Sequence, residues 1–397
     1  MDALSRAHLI LEEVAQRVRA DVPEGAVLFD AHTHLGDDID GMQGRPDEML
    51  GMFDHLGIAG SFTFCLDEPD REPAFTAAND RTLAYAAEHP DRIVPFVRLD
   101  LEERPIEEAI RCLDLGARGI KLHPRAQKFS VGDERLDGVF ALAVERDVPI
   151  LIHGGRGLPP IGDHLASLVD RYADVRLIIA HAGIADLGGL AHHFGHVPGV
   201  FFDTSLWGVI DLLDLMRQVA PQQILFATDY PYGRGPNQLL LALRAARCSG
   251  FDESEICGML GGTALAIRDG EPLPTLTAPR GLTSITHSLP LARIHQYISM
   301  TVPLLWMRQP DRAGGLGLAL NAAHEANVDG VPDADLIRRA LSVAAEVWEG
   351  IGEIDDRQES ERVARPARQL VHIADILAVT GFSLSPGFRA ASQRLDA

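Results

Sequence analysis

The stretch Phe29-Asp30-Ala31-His32-Thr33-His34-Leu35-Gly36 decides how the rest of the chain is read. Val27, Leu28 and Phe29 lead into it as an apolar, strand-forming run. Side chains alternate faces along a strand, so His32 and His34 point the same way, two residue rises apart. One cation can take both imidazoles, and zinc and its neighbours favour imidazole nitrogen together with carboxylate oxygen. On its own, His-x-His equally fits two partly exposed histidines at a strand end. Residues further along choose between these readings.

Around this stretch runs a regular alternation. Short apolar, often β-branched runs at 27–32, 58–66, 92–99, 117–123, 148–153, 175–181, 200–205 and 223–229 read as strands. Between and after them, 46–56, 74–89, 104–115, 134–146, 161–172, 186–194, 209–219 and 236–247 carry helical patterning. Runs such as Ile150-Leu151-Ile152 and Leu177-Ile178-Ile179 are apolar throughout, as strands buried on both faces must be. Strand–helix units of this number over about 250 residues have the size of a (β/α)8 TIM barrel. An open doubly wound sheet is the alternative, and only strand count separates the two.

Residues 4–20 read as a lead-in helix, from the spacing of Leu4, Ala7, Leu11, Val14 and Val18. Residues 253–268 read as a further helix closing the barrel region. Glu271, Pro272, Pro274, Thr275, Thr277 and Pro279 then form a connector. Beyond it, 289–308, 315–326, 333–350 and 358–379 are apolar at helical spacing with no strand between them, and Pro303 and Pro366 are expected to break or kink the first and last. The expected organisation is a barrel domain over 1–270, including the lead-in helix, and an all-helical C-terminal region over 280–397. Trp306 and Trp348 read as core residues of that region.

Composition narrows the partners. The chain has 397 residues, and 46% hydrophobic content supplies a sizeable core. Lys and Arg number 36 against 57 Asp and Glu, a formal charge of −21 that disfavours nucleic acid and anionic membranes as partners. Cys65, Cys112, Cys248 and Cys257 are widely spaced and read as reduced thiols of a cytoplasmic protein. Asp2, Arg6, Glu12 and Glu13 interrupt the N-terminus, unlike a signal peptide. The longest apolar candidate, Ile298 to Trp306, is far too short to span a bilayer. The expected partner is a small-molecule substrate, and a homo-oligomer is allowed.

The strand ends carry the chemistry. Strand four ends Lys121-Leu122-His123, strand five at His153, strand six at His181 and strand eight at Asp229. In a barrel these C-terminal ends meet at one mouth, where active sites lie. Polar groups there are costly to bury unless paired or coordinated. Arg98 and Asp203 end strands three and seven and are expected to face the mouth. Arg125, Lys128 and Arg156, in the loops after strands four and five, suit a substrate carboxylate or pairing with nearby acids. His192, His193 and His196 read as a solvated loop rather than a second metal site, and Cys65 as packing.

With these residues in view, the chain resembles the amidohydrolase superfamily, and more narrowly its amidohydrolase-related group of metal-dependent hydrolases and decarboxylases. The wording that carries the resemblance is FDAHTHLG, GIKLHP, PILIHGG, LIIAHAG and LFATDYPYG, with MLGGTALAI near its end, where Thr263 stands in place of the usual Asn. It covers residues 26–268 and leaves the C-terminal region unexplained.

The resemblance implies that His32, His34, His153 and Asp229 bind a divalent metal, most simply one Zn2+, with His181 orienting or polarising the substrate. Three neutral nitrogens and a carboxylate leave a coordination position for water, whose pKa falls toward about 7. Asp229 then serves as the proton acceptor, and His181 as stabiliser of the developing oxyanion. Lys121 and His123 share a face and are expected, with Arg125, to contact substrate. A carboxylated Lys121 bridging two metals is the alternative that the superfamily offers. The implied function is hydrolysis of a small ester, lactone or amide. The alternative is non-oxidative decarboxylation of an aromatic or unsaturated acid, for which many relatives carry Glu-x-His where this chain has His32-Thr33-His34.

Overall fold

The computed structural model describes residues 1–281, 288–311, 314–328, 331, 333–351 and 354–381. They form two compact units. One comprises residues 22–234 with 249–281, and the other residues 1–21 and 235–248 with the described residues from 288 onward.

The first unit is the barrel. Its strands are β1 (Leu28–Asp37), β2 (Ile58–Cys65), β3 (Ile93–Pro95 continuing as Val97–Arg98), β4 (Ile120–Leu122), β5 (Ile150–Ile152), β6 (Leu177–Ile179), β7 (Val200–Asp203) and β8 (Ile224–Leu225). They pair in parallel in chain order. Pro95 cannot donate to a ladder, and β3 divides there. Its first half pairs with β2 through Ser61↔Ile93, its second with β4 through Arg98↔Lys121. The cylinder closes between β8 and β1. Ala31 N donates to Phe226 O (2.9 Å), Asp229 N to His32 O (2.9 Å), and His34 N to Tyr230 O. A short antiparallel pair, Gly36↔Gly44 and Asp37↔Gln43, folds the end of β1 over.

The inward layer at this level is set by register. Arg98, Lys121, Leu151, Ile178 and Phe201 are successive ladder partners and so share a face. Phe29, Phe62, Phe64 and Phe96 fill the interior with Leu151, Ile178 and Phe201. Thr263–Asp269 supplies Ala264 and Ile267 to the same core. Gly261, just before it, lets the chain pass β1 so closely that a Cβ there would stand 2.2 Å from Val27 O and 2.9 Å from Phe29 N.

The crossover helices of this unit are α1 (Pro46–Leu56), α2 (Thr76–Glu88), α3 (Pro105–Asp114), α4 (Leu136–Glu145), α5 (Gly162–Arg171), α6 (Leu187–Phe194) and α7 (Val209–Gln218). The helix after β8, Pro236–Cys248, is the eighth of the alternation yet belongs to the second unit, as does the lead-in helix Ala3–Ala20. This departs from the expected division, which kept both with the barrel. Periodicity shows that a face is apolar, not what covers it. Within the second unit, Arg339 of Ala334–Glu349 pairs with Glu13 of the lead-in helix (2.8 Å), and Asn237 Nδ2 meets His372 Nδ1 (2.8 Å).

The remaining helices of that unit, Leu289–Trp306, Gly315–Val328, Ala334–Glu349 and Arg357–Thr380, lie within a few residues of their expected bounds. Pro303 and Pro366 stand inside the first and last of them without ending either. Trp348 is buried, whereas Trp306 is 40% exposed and stacks on the Arg368 guanidinium, which corrects the expectation of a core Trp306. Among the described residues no helix is long and apolar enough to cross a membrane.

Gly261→Ala should lower barrel stability by about 1–3 kcal/mol, because the atoms that the new methyl meets are backbone and cannot rotate away. Denaturant unfolding of the full chain measures this.

Candidate metal centre

Between Asp30 and Thr33 the register of β1 against β2 shifts, and His32 and His34 bring their Nε2 atoms within 3.1 Å of each other. Asp229 follows β8 with a left-handed φ of +59°, a conformation that side-chain-bearing residues adopt at a cost. Its Oδ1 lies 3.3 Å from His32 Nε2 and 3.2 Å from His34 Nε2. A tetrahedral cation with bonds of about 2.0–2.1 Å separates its ligand atoms by about 3.3 Å. The triangle of two nitrogens and one oxygen therefore has the dimensions of a metal's ligand face.

Protons on the imidazoles can be assigned from their partners. His32 Nδ1 lies 2.8 Å from Asp203 Oδ2, an obligate acceptor, so Nδ1 carries the hydrogen and Nε2 presents a bare lone pair. His181 Nδ1 lies 2.7 Å from the Ser205 carbonyl, so it too donates, leaving Nε2 bare. That Nε2 is 3.0 Å from His153 Nδ1, which must then donate. The result is a bare Nε2 on His153, buried and without a partner. An orphaned buried lone pair in this histidine cluster fits a cation ligand, although His153, expected as a fourth ligand, belongs to neither group of metal-holding dimensions. Gly155 makes room for these rings, since a Cβ there would stand 2.7 Å from His153 Cε1 and 2.8 Å from His181 Cδ2.

Burial fixes the charge states. It holds His32, His34, His153, His123 and His181 below the usual imidazole range, hence neutral and able to ligate. It pushes the Lys121 amine down to about 7, helped by the Arg98 charge and opposed by Asp229 and Asp203. It raises Asp229 well above the carboxylate range, against the pull of Lys121, and a cation at the cluster reverses that shift.

Lys121 Nζ stands 3.4 Å from His32 Nε2 and 4.4 Å from the centre of the Phe64 ring. His123 stacks on His153 with ring centres 4.0 Å apart. Arg125 is exposed, lies against Gly157 and takes no part in these contacts. Arg98 is buried. Among the described residues two groups have metal-holding geometry, His32–His34–Asp229 and His32–His181–Asp203. His193 instead pairs with the exposed Asp163 (2.9 Å).

Three residues escaped the sequence reading or were misread by it. Asp203, expected at the mouth, holds the His32 ring: besides His32 Nδ1 it accepts from the His181 backbone (2.8 Å) and from Ser205 Oγ (2.5 Å). Ser205 shares the parity of Asp203, a signal that was there to use. Asp30 shares the parity of His32 and His34. Its carboxylate accepts from His32 N (3.1 Å), Thr228 N (3.0 Å) and Thr228 Oγ1 (2.5 Å).

The model of the family described as amidohydrolase matches residues 29–267. Among solved structures, the chain is similar to a 2,6-dihydroxybenzoate decarboxylase from Rhizobium (19% identity, 62% of this chain and 98% of that one, TM-score 0.49). It is also similar to a 5-carboxyvanillate decarboxylase from Sphingomonas paucimobilis (15%, 62% and 99%, 0.47). A third is a 4-oxalomesaconate hydratase from Rhodopseudomonas palustris (15%, 61% and 96%, 0.46). No curated protein matches the chain.

Asp203→Ala should weaken zinc binding about 10- to 100-fold, since His32 loses the acceptor that fixes its tautomer. Competition with a chromophoric chelator reads the change, and an unaltered affinity would remove Asp203 from the orienting role.

Proposed function

This chain belongs to the amidohydrolase family, and on that premise we propose that it is a metal-dependent hydrolase of a small ester, lactone or amide. The observation that carries the reading is the convergence of His32 Nε2, His34 Nε2 and Asp229 Oδ1 at 3.1–3.3 Å.

His32, His34, His153 and Asp229 would hold one divalent cation, zinc being the simplest choice for such a donor set. When bound, it supplies the Lewis acidity that lets water attack at neutral pH. The chain's own groups do the rest. Asp229, whose side chain keeps 18% exposure while His32 keeps none, accepts the proton of the attacking water and passes it to the leaving group. His181 fixes His153 through its Nε2. Its expected donation to an oxyanion requires that bond to be released and a proton gained. Lys121 and His123 line the same face and contact substrate. A small-molecule partner, a cytoplasmic location and homo-oligomerisation complete the reading, supported for location by four cysteines of which none forms a disulfide.

Non-oxidative decarboxylation at the same centre is the second reading, since the converging His32, His34 and Asp229 donors would serve it equally.

Elemental analysis of the purified protein, followed by a panel of lactones, esters, amides and aryl carboxylates, decides between them. Acid release marks hydrolysis and carbon dioxide release marks decarboxylation. Full activity in metal-free protein would sink both. Asp229→Asn is expected to lower kcat by about 100-fold or more while metal content falls far less. A variant with near-normal kcat would leave Asp229 a ligand only.

A further inference from the structure

Arg98 is 2% exposed, one of the largest fully buried side chains of the molecule. It ends β3 as the ladder partner of Lys121, so it faces inward in the same layer. A buried guanidinium is normally saturated by acceptors, because it cannot discharge itself. This one is not. NH1 donates to the Cys65 carbonyl (3.2 Å), Nε has no partner, and the nearest carboxylate, Asp67 Oδ1, stands 4.0 Å from NH2, beyond hydrogen-bond range. Asp67 Oδ1 is itself without a hydrogen bond and lies nearer to Arg71 Nε, at 3.5 Å. Arg98 thus keeps most of a planar donor fork available to an anion.

The surroundings hold that fork in place. Asn79 clasps the Arg98 backbone from both sides, accepting from its N–H and donating to its carbonyl, each at 3.0 Å. The Phe75 ring lies 4.9 Å beneath the guanidinium carbon. To put it there the chain runs through two successive left-handed residues, Ala74 at φ +55° and Phe75 at φ +59°. A buried aromatic residue in that region is strained, and such strain concentrates where a side chain must be aimed. The Arg98 charge reaches the site, since it adds to the burial that lowers the pKa of His34, His123 and Lys121.

We propose that Arg98 is the carboxylate anchor of this site: its buried fork takes an anionic carboxylate of the substrate, remote from the bond that reacts at the histidine cluster. The proposal rests on the metal-dependent reading for the location of the reacting end. It narrows the substrate class to small molecules that carry a carboxylate besides the group transformed. Asp67, already nearer to Arg71, is the anion that competes for the fork from 4.0 Å.

The test uses binding to the full-length, metal-free protein, so its outcome is independent of whether the metal reading holds. Benzoate and benzamide have the same shape and differ in charge. Calorimetric titration should show benzoate binding at least about tenfold tighter than benzamide, the value of one charge-assisted pair. Arg98→Met should abolish that preference, and Arg98→Lys, which keeps the charge without the fork, should retain only part of it. Asp67→Asn should strengthen benzoate binding, because it removes the competing anion. A merely structural Arg98–Asp67 contact predicts the opposite sign for that variant, which does not depend on Arg98→Met folding. Equal affinity for the two probes, or benzoate binding that Asp67→Asn weakens, overturns the proposal.

Discussion

The seam between β1 and β8 is where the barrel closes and where the candidate metal centre forms, and the two are one event. Asp229 N donates to His32 O, and His34 N to Tyr230 O, so the backbone bonds that shut the cylinder also fix the three residues whose side chains converge. Asp30 adds a second tie across the seam by accepting from His32 N, Thr228 N and the Thr228 hydroxyl. Its carboxylate is fully buried, and burial raises it to about 7 against those hydrogen bonds. A chain that failed to close here would lose its ligand triangle together with its last strand pairing.

Much of this was legible because parallel strands buried on both faces have little choice of composition. Ile150-Leu151-Ile152 and Leu177-Ile178-Ile179 read as strands and are strands. His153 and His181 stand just beyond them, as the alternation requires. What spacing does not reveal is pairing between distant segments. Asp203 was visible as a mouth-facing residue, but its partner His32 Nδ1 is 171 positions away, and nothing local distinguishes an orienting carboxylate from a substrate contact. The same limit explains Pro236–Cys248. Ten of its residues, from Pro236 to Leu243 with Ala245 and Ala246, are buried, so its pattern fits any apolar neighbour. Pro303 shows a third limit: proline costs a helix little only in its first turn, yet this one stands in the last turn of Leu289–Trp306 without ending it, beside the buried Thr301 and Leu305 whose packing the local pattern does not weigh.

Charge inside the barrel follows from one adjacency. Arg98 and Lys121 are ladder partners, two cations side by side in a layer otherwise filled by Leu151, Ile178 and Phe201. Both cannot stay charged without cost. Arginine has no accessible neutral form, so lysine gives way: burial above all, with the Arg98 charge adding to it, brings its amine down to about 7. This sorts the positive charge by position. Beside His32 stands an amine that loses its proton readily and so offers little opposition to a cation at the triangle. On β3 stands a guanidinium whose charge is permanent. A cation at the cluster would favour ionised Asp229 and neutral Lys121, so its binding would release protons. The barrel mouth then presents two separated positive poles with a neutral amine between them. A ligand matched to that field has two anionic or anion-forming ends, one that develops charge during reaction at the histidines and one that carries it throughout at Arg98.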